Sequence, residues 1–295
     1  MDERHTRVVR EGLAFGEGPR WHEQRLWFSD FYRHAIFSVL ADGSDERREH
    51  DVPEQPSGLG WLPNGDLLYV SMTDHRVMRV SEGVTSLFCD LRAYCGFWAN
   101  DLTVSSSGVS YVGNFGFDLD ELLREATRTG VIPLPLPTTN LVVLGPEGDV
   151  RQVVEDMSFP NGAVLSPDGA TLIVAETVAY RLSAFDVARD GTLARRRVWA
   201  QFEPTVAPDG ICLDAEGQVW VANPLADECL RVREGGEVTT RAITTQRSFA
   251  CMLGGEDRST LYVCCAPTSD RFEIADQLVG TLEVVEVDVP GAGLP

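Results

Sequence analysis

A chain of 295 residues with 25 basic side chains, every one an arginine, and a formal net charge of −20 narrows the available chemistry. The absence of lysine excludes a Schiff-base mechanism, a pyridoxal-phosphate enzyme of the usual type and a Walker-type phosphate loop, because arginine stays protonated and offers no nucleophilic lone pair. The acidic balance argues against nucleic acid or a membrane as partner and suits attraction of a metal cation.

In chain order, Arg7-Val-Val-Arg-Glu-Gly-Leu reads as a strand ahead of the first of six related phrases. These are Glu17-Gly-Pro-Arg-Trp, Ser57-Gly-Leu-Gly-Trp, Asn100-Asp-Leu-Thr-Val, Asn161-Gly-Ala-Val-Leu, Asp209-Gly-Ile-Cys-Leu and Phe249-Ala-Cys-Met-Leu. A turn, such as Pro63-Asn-Gly or Pro167-Asp-Gly, follows each phrase, then a second apolar strand such as Leu68-Tyr-Val or Leu172-Ile-Val. The phrase starts lie 40, 43, 61, 48 and 40 residues apart, close to the roughly 40–50 residues of a four-stranded propeller blade. The expected fold is therefore all-β, a six-bladed β-propeller in one domain over 1–295, its sixth blade closed by the N-terminal strand.

The one long spacing holds an insertion at 115–139 with a short amphipathic helix expected over Asp118 to Arg128 and a stiff run, Val131-Ile-Pro-Leu-Pro-Leu-Pro, of polyproline II character. It is either a lid over the channel or a surface excursion packed on a neighbouring blade. Seven cysteines without C-x-x-C spacing, several inside apolar strands, read as core thiols in a reducing cytoplasm. Five histidines, all before residue 76, form no H-x-H or H-E-x-x-H pair, and no G-x-S-x-G elbow occurs, so the common zinc and serine hydrolase motifs are missing.

Equivalent positions in successive blades converge on one ring about the propeller axis. Glu17, Ser57, Asn100, Asn161, Asp209 and Phe249 share one repeat position, which gathers two carboxylates and two carboxamides without sulfur or imidazole. Such a hard-oxygen set suits Ca²⁺, which takes 6 to 8 oxygens at about 2.3–2.6 Å, although Zn²⁺, Mn²⁺ or Mg²⁺ are alternatives. Asn161-Gly and Asp209-Gly are also ordinary turn dipeptides; their register with Glu17 and Asn100 favours ligation. Asp101 follows Asn100 and by strand alternation points to the other side, either orienting a ligand or stabilising a turn. Glu176 and Asn223 follow the second strands of blades four and five at matching places; either reaches the pocket rim or is an exposed strand-end residue without a function.

These phrases resemble the senescence-marker-protein/gluconolactonase family of regucalcin-like, calcium-dependent lactonases from Gly16 to about Val287, most specifically in Gly16-Glu-Gly-Pro-Arg-Trp, Phe159-Pro-Asn-Gly with Ser166-Pro-Asp-Gly, and Ala207-Pro-Asp-Gly-Ile-Cys-Leu-Asp. The resemblance implies metal ligation by Glu17, Asn161 and Asp209, with Asn100 touching metal or substrate. It further implies hydrolysis of a small lactone or ester by water, with Asp209 as the catalytic base. Sugar lactonases of the family often carry an arginine where this chain has Trp98, which with Phe97 and Phe249 points to an apolar pocket. Substrate contacts are expected from Asn100, Trp98 and Asp101. Alternative readings are a phosphotriester hydrolase, a specialised biosynthetic enzyme on the same scaffold and a non-catalytic calcium-binding propeller.

Overall fold

The computed structural model describes residues 2–130 and 135–293. Short runs of alternating apolar residues, cut by glycine turns, form the strands of a six-bladed β-propeller. β1 (Asp2–His5) and β2 (Arg7–Leu13) come first. Blade one is β3 (Gly16–His22), β4 (Arg25–Asp30), β5 (Ala35–Val39) and β6 (Arg47–Asp51); blade two is β7 (Pro56–Trp61), β8 (Leu67–Ser71), β9 (Arg76–Ser81) and β10 (Val84–Asp90). Blade three is β11 (Ala99–Val104), β12 (Ser110–Asn114), β13 (Thr139–Leu144) and β14 (Val150–Met157); blade four is β15 (Pro160–Leu165), β16 (Thr171–Glu176), β17 (Arg181–Val187) and β18 (Leu193–Gln201). Blade five is β19 (Ile211–Leu213), β20 (Val219–Asn223), β21 (Glu228–Val232) and β22 (Val238–Ile243), and blade six is β23 (Arg247–Gly254), β24 (Thr260–Ala266) and β25 (Gly280–Glu286) completed by β2.

Closure by the N-terminal strand is as expected: β2 pairs antiparallel with β25, from Arg7 opposite Val284 to Leu13 opposite Gly280. β1 adds an unforeseen fifth strand, parallel to β22. Its four residues are polar and largely exposed, so it pairs through its backbone and leaves no apolar pattern to read. Between blades, apolar faces meet in buried clusters; Trp21 of blade one stacks on Tyr262 of blade six at 5.6 Å between ring centroids. Among the described residues no helix is long and apolar enough to cross a membrane.

Two local features place the phrase starts. First, the innermost strand of five blades breaks register with its neighbour at the phrase, between Glu17 and Arg20, Pro56 and Leu59, Ala99 and Leu102, Pro160 and Ala163, and Ser248 and Ala250. A bulge of this kind re-aims side chains and interrupts strict alternation. Second, the glycine after the phrase start is where blades touch. A Cβ on Gly58 would stand 2.0 Å from Leu102 N, and one on Gly162 would stand 2.7 Å from Asp209 O. The Asn161-Gly and Asp209-Gly pairs are therefore not turns. The hairpin turns use other glycines, Gly65 and Gly169, with φ of 89° and 68°.

The insertion leaves blade three after Asn114, which pairs with Ala99 at the start of β11, so it emerges on the face where the phrases begin. It carries α1 (Leu119–Thr129), capped by the Asp118 side chain on Glu121 N and ended by Gly130 at φ 74°. Residues 131–134 of the expected polyproline run lie outside the described residues. A second short helix, α2 (Arg271–Ile274), leaves blade six on the same face, since Arg247 pairs with Ala266.

Candidate metal centre at the channel mouth

The ring expected from register is assembled by hydrogen bonds. Ser57 Oγ donates to Asn100 Oδ1 at 3.0 Å, Asn100 Nδ2 donates to Asn161 Oδ1 at 3.1 Å, and Asn161 Nδ2 donates to Thr177 Oγ1 at 3.1 Å. Thr177 Oγ1 donates in turn to the carbonyl of Pro208 at 2.8 Å, beside Asp209. This relay fixes both amide orientations, and each carboxamide oxygen keeps one lone pair free. Glu17 accepts from Gly18 N at 3.1 Å. All six ring residues are buried.

Charge at the ring is unbalanced. Burial, then repulsion by Asp209 and Asp101, pushes the Glu17 carboxyl well above the usual carboxylate range. Burial and then Asp101 do the same to Asp209, against a hydrogen bond from Asn161. Burial also raises Asp101, opposed by Arg20. Arg20 is itself buried, and its guanidinium donates to the carbonyls of Pro19 and Leu102, each at 2.8 Å. Three buried carboxylates thus stand against one buried guanidinium, which acts on Asp101 and Glu17.

Asp101 lies beside Asn100 within the register shift of β11. The bulge keeps it buried with Asn100, and its field reaches Glu17, Asp209 and Arg20 together. Among the described residues no three His, Cys, Asp or Glu side chains form a metal-holding group by themselves. A metal here depends on carboxamide oxygens as well as Glu17 and Asp209. The donor chemistry fits a hard divalent cation, because buried charges need pairing or a metal and every donor is oxygen.

Glu176 and Asn223 do not reach the rim. Both are fully buried and spent on their own blades. Glu176 accepts from Ser158 N at 2.9 Å and from Arg181 and Arg196; burial disfavours its charge, but hydrogen bonds from Arg181, Ser183, Ser158 and Arg196 hold its carboxyl below the usual range. Asn223 Oδ1 accepts from Ala207 N at 3.3 Å, and its Nδ2 donates to Thr205 O at 3.1 Å. Asp30 and Asn114 act alike, accepting from Phe15 N at 3.0 Å and Gly96 N at 3.3 Å. At the end of four second strands a polar side chain thus ties down the loop that delivers a ring residue. Thr177, which sequence reasoning missed, follows Glu176; its only signal was a small hydroxyl residue at the end of that strand.

An apolar cluster surrounds the ring residue Phe249. Phe15, Phe31, Met72, Phe249 and Ile274 are buried together, with Trp98 and Phe115 packed against them. Phe15 meets Phe249 edge-on at 4.8 Å, Phe115 lies 4.6 Å from Phe159, and Trp98 stacks on Phe97 at 4.8 Å. Blades three and six, opposite in the ring, are bridged here. The Arg271 guanidinium donates to Asp118 through both terminal nitrogens at 2.7 Å and to Asp120 at 3.2 Å, and it lies 5.1 Å from the Trp98 ring centroid. Arg124 of α1 covers the Phe272 ring of α2 at 4.0 Å. No residue of α1 is buried, so these contacts rather than a core seat the helix.

A family model described as SMP-30/Gluconolactonase/LRE-like region matches residues 15–267. Regucalcin of Danio rerio is 27% identical over 272 residues, which cover 88% of this chain and 85% of the relative. A solved structure of a calcium-binding protein, regucalcin, from Agrobacterium tumefaciens is similar with a TM-score of 0.80 at 21% identity, covering 100% of this chain and 98% of that one. A gluconolactonase from Xanthomonas campestris gives a TM-score of 0.72 at 22% identity, covering 98% of this chain and 89% of that one. The two structures share the propeller fold with this chain.

Proposed function

This chain belongs to the SMP-30/gluconolactonase/LRE-like family, and from that premise we propose that it is a divalent-metal-dependent hydrolase that opens a lactone or related ester at the channel mouth. One observation carries the proposal: Glu17 and Asp209, buried and mutually repelling, stand on a ring whose carboxamides are locked in place. The relatives named as a calcium-binding regucalcin and a gluconolactonase support the same reading.

Glu17, Asn161 and Asp209 would hold the ion, with Asn100 shared between ion and substrate. When bound, Ca²⁺ supplies a Lewis acid that polarises the scissile carbonyl and stabilises negative charge on its oxygen. An Asp209 carboxylate oxygen accepts the proton of the attacking water and returns it to the alkoxide released by ring opening. In the metal-free site burial and then Asp101 raise the proton affinity of Asp209; a bound cation would oppose that shift and keep the carboxylate ionised to accept the proton. Asp101 acts at one remove, as a positioning residue, through its field on both ligand carboxylates. Trp98 lines the path to the ring, and the insertion at 115–139 serves as a lid that excludes water.

The test is chelation and repletion. EDTA abolishes turnover of a lactone panel and Ca²⁺ restores it better than Mg²⁺, Mn²⁺ or Zn²⁺. Asp209→Asn weakens the metal-induced rise in melting temperature but, assayed at saturating Ca²⁺, still loses about 10²-fold or more in kcat, the usual contribution of a general base. Full activity after exhaustive chelation overturns the proposal. Metal-dependent melting without turnover of any lactone, ester or phosphotriester would instead mark a binding propeller.

A further inference from the structure

We infer that the substrate is a neutral lactone bearing an apolar alkyl or aryl substituent, with Phe15, Trp98, Phe115 and Phe249 as the residues that select it. The inference rests on the hydrolase reading and adds the class of substrate. Three observations support it.

The first is register. The residues two places before the ring positions are Phe15, Gln55, Trp98, Phe159, Ala207 and Arg247, so the layer that precedes the oxygen ring along the strands is dominated by apolar side chains. Phe15 and Trp98 of that layer pack with the ring residue Phe249 and with Phe115 in one cluster.

The second is the shortage of hydrogen-bonding groups. Arg271 is committed to Asp118 and Asp120, and the ring amides bond to one another. Among the described residues in that layer, Gln55 has a buried Oε1 without a donor, while Arg247 is exposed. With the ring oxygens given to the ion, the Gln55 amide, the Tyr32 hydroxyl beside the cluster and the exposed Arg247 are few partners for the several hydroxyls of an aldonolactone, and a buried hydroxyl left unpaired weakens binding. An alkyl or aryl group carries no such penalty.

The third is the surface around the mouth. Leu123 of α1, Leu225 of the β20–β21 loop and Phe272, Leu278 and Val279 of the β24–β25 loop are exposed by 44%, 52%, 50%, 63% and 43%. All five sit on loops that leave the ends of second strands, hence on the mouth face. Five of the ten large exposed apolar side chains among the described residues therefore lie on the mouth face of a protein of net charge −20. Such a rim suits capture of an amphiphilic neutral molecule.

The experiment uses the calcium-loaded protein and lactones of one ring size with tails from methyl to hexyl, beside a polyhydroxylated aldonolactone. Lactams of the same shapes, which resist hydrolysis, are titrated by calorimetry. The expected result is kcat/KM and lactam affinity that rise about fourfold for each of the first methylenes buried, with the aldonolactone below the methyl compound. Phe115→Ala should then cost the hexyl compound at least about fivefold more than the methyl one, the scale of one lost aromatic contact. A flat or falling chain-length series, or preference for the aldonolactone, overturns the inference on the unaltered protein alone. Tight binding of alkyl lactams without turnover of any lactone would sink the hydrolase reading and leave the ligand class standing; no lactam binding and no turnover would sink both.

Discussion

Replacing Glu17 by glutamine should stabilise the metal-free protein and abolish its response to calcium, two effects of opposite sign from one isosteric change. Below the usual carboxylate range Glu17 is protonated in folded and unfolded chains alike and contributes nothing. As pH rises, the unfolded chain releases this proton first; the folded chain, where burial and the Asp209 and Asp101 charges raise the pKa, loses stability until pH passes the raised folded value. Glu17→Gln removes that loss, so the metal-free variant melts above the metal-free wild type at about pH 8 and level with it near pH 4. Calcium at about a hundred times its dissociation constant adds about 2.7 kcal/mol to the wild type. With an unfolding entropy of about 2.1 cal/mol/K per residue, a chain of 295 residues changes by about 0.6 kcal/mol per kelvin, so the expected rise is about 4 °C. Scanning calorimetry of both proteins, chelator-stripped and then calcium-loaded, at the two pH values measures every arm. A wild type indifferent to calcium, or a metal-free variant that melts below the wild type under alkaline conditions, would refute the charge argument.

Thr177→Val keeps the side-chain volume but strands Asn161 Nδ2 and the Pro208 carbonyl; it should cost about 1–3 kcal/mol, read as a fall of about 2–5 °C in melting temperature, and weaken calcium binding in a titration. Glu176→Gln removes a buried carboxylate from two arginines that are each about a quarter exposed, and should cost about 2–3 kcal/mol at neutral pH in denaturant titrations. Because its folded pKa is depressed, the Glu176 contribution is present above the usual carboxylate range and fades as pH falls through the folded value, so wild type and variant converge in acid. Arg271→Met cuts the bridge across the mouth; since a partly exposed ion pair is worth about 1 kcal/mol or less, melting stays within about 2 °C while amide exchange over Leu119–Thr129 accelerates.

Blade number, closure by Arg7–Leu13 and the convergence of the phrase starts were legible because they are written in a repeat: six copies in one register fix what no single copy can. The helix was legible too, as an amphipathic run over Asp118 to Arg128 where α1 spans Leu119–Thr129. What the repeat did not disclose depends on departures from regular geometry. Two-residue alternation left open whether Asp101 orients a ligand or only stabilises a turn; it is buried with Asn100 at the shift between Ala99 and Leu102, and its field on Glu17 and Asp209 could not be read from the strand pattern. Register favoured ligation over a turn at Asn161-Gly and Asp209-Gly but gave no reason for the glycines; Gly162 is demanded by the backbone of the next blade. Glu176 and Asn223 looked like rim or exposed strand-end residues because each ends a strand; their backbone partners at Ser158 and Ala207 lie 18 and 16 residues away, beyond any local pattern.

The position after each phrase start also shows why the site is charged as it is. Five of its six members are Gly18, Gly58, Gly162, Gly210 and Ala250, none larger than a methyl, as close blade contact requires. The sixth is Asp101. A carboxylate in a layer otherwise cleared of side chains is not there for packing, and its field raises both Glu17 and Asp209 while Arg20 answers only part of the charge. Stability alone would select glycine at 101 and an apolar residue at 20. The pair makes sense if the excess negative charge is what the fold is built to present: two carboxylates beyond the one that Arg20 balances match the charge of a divalent cation. The cost of leaving them unpaired then becomes the driving force for binding it.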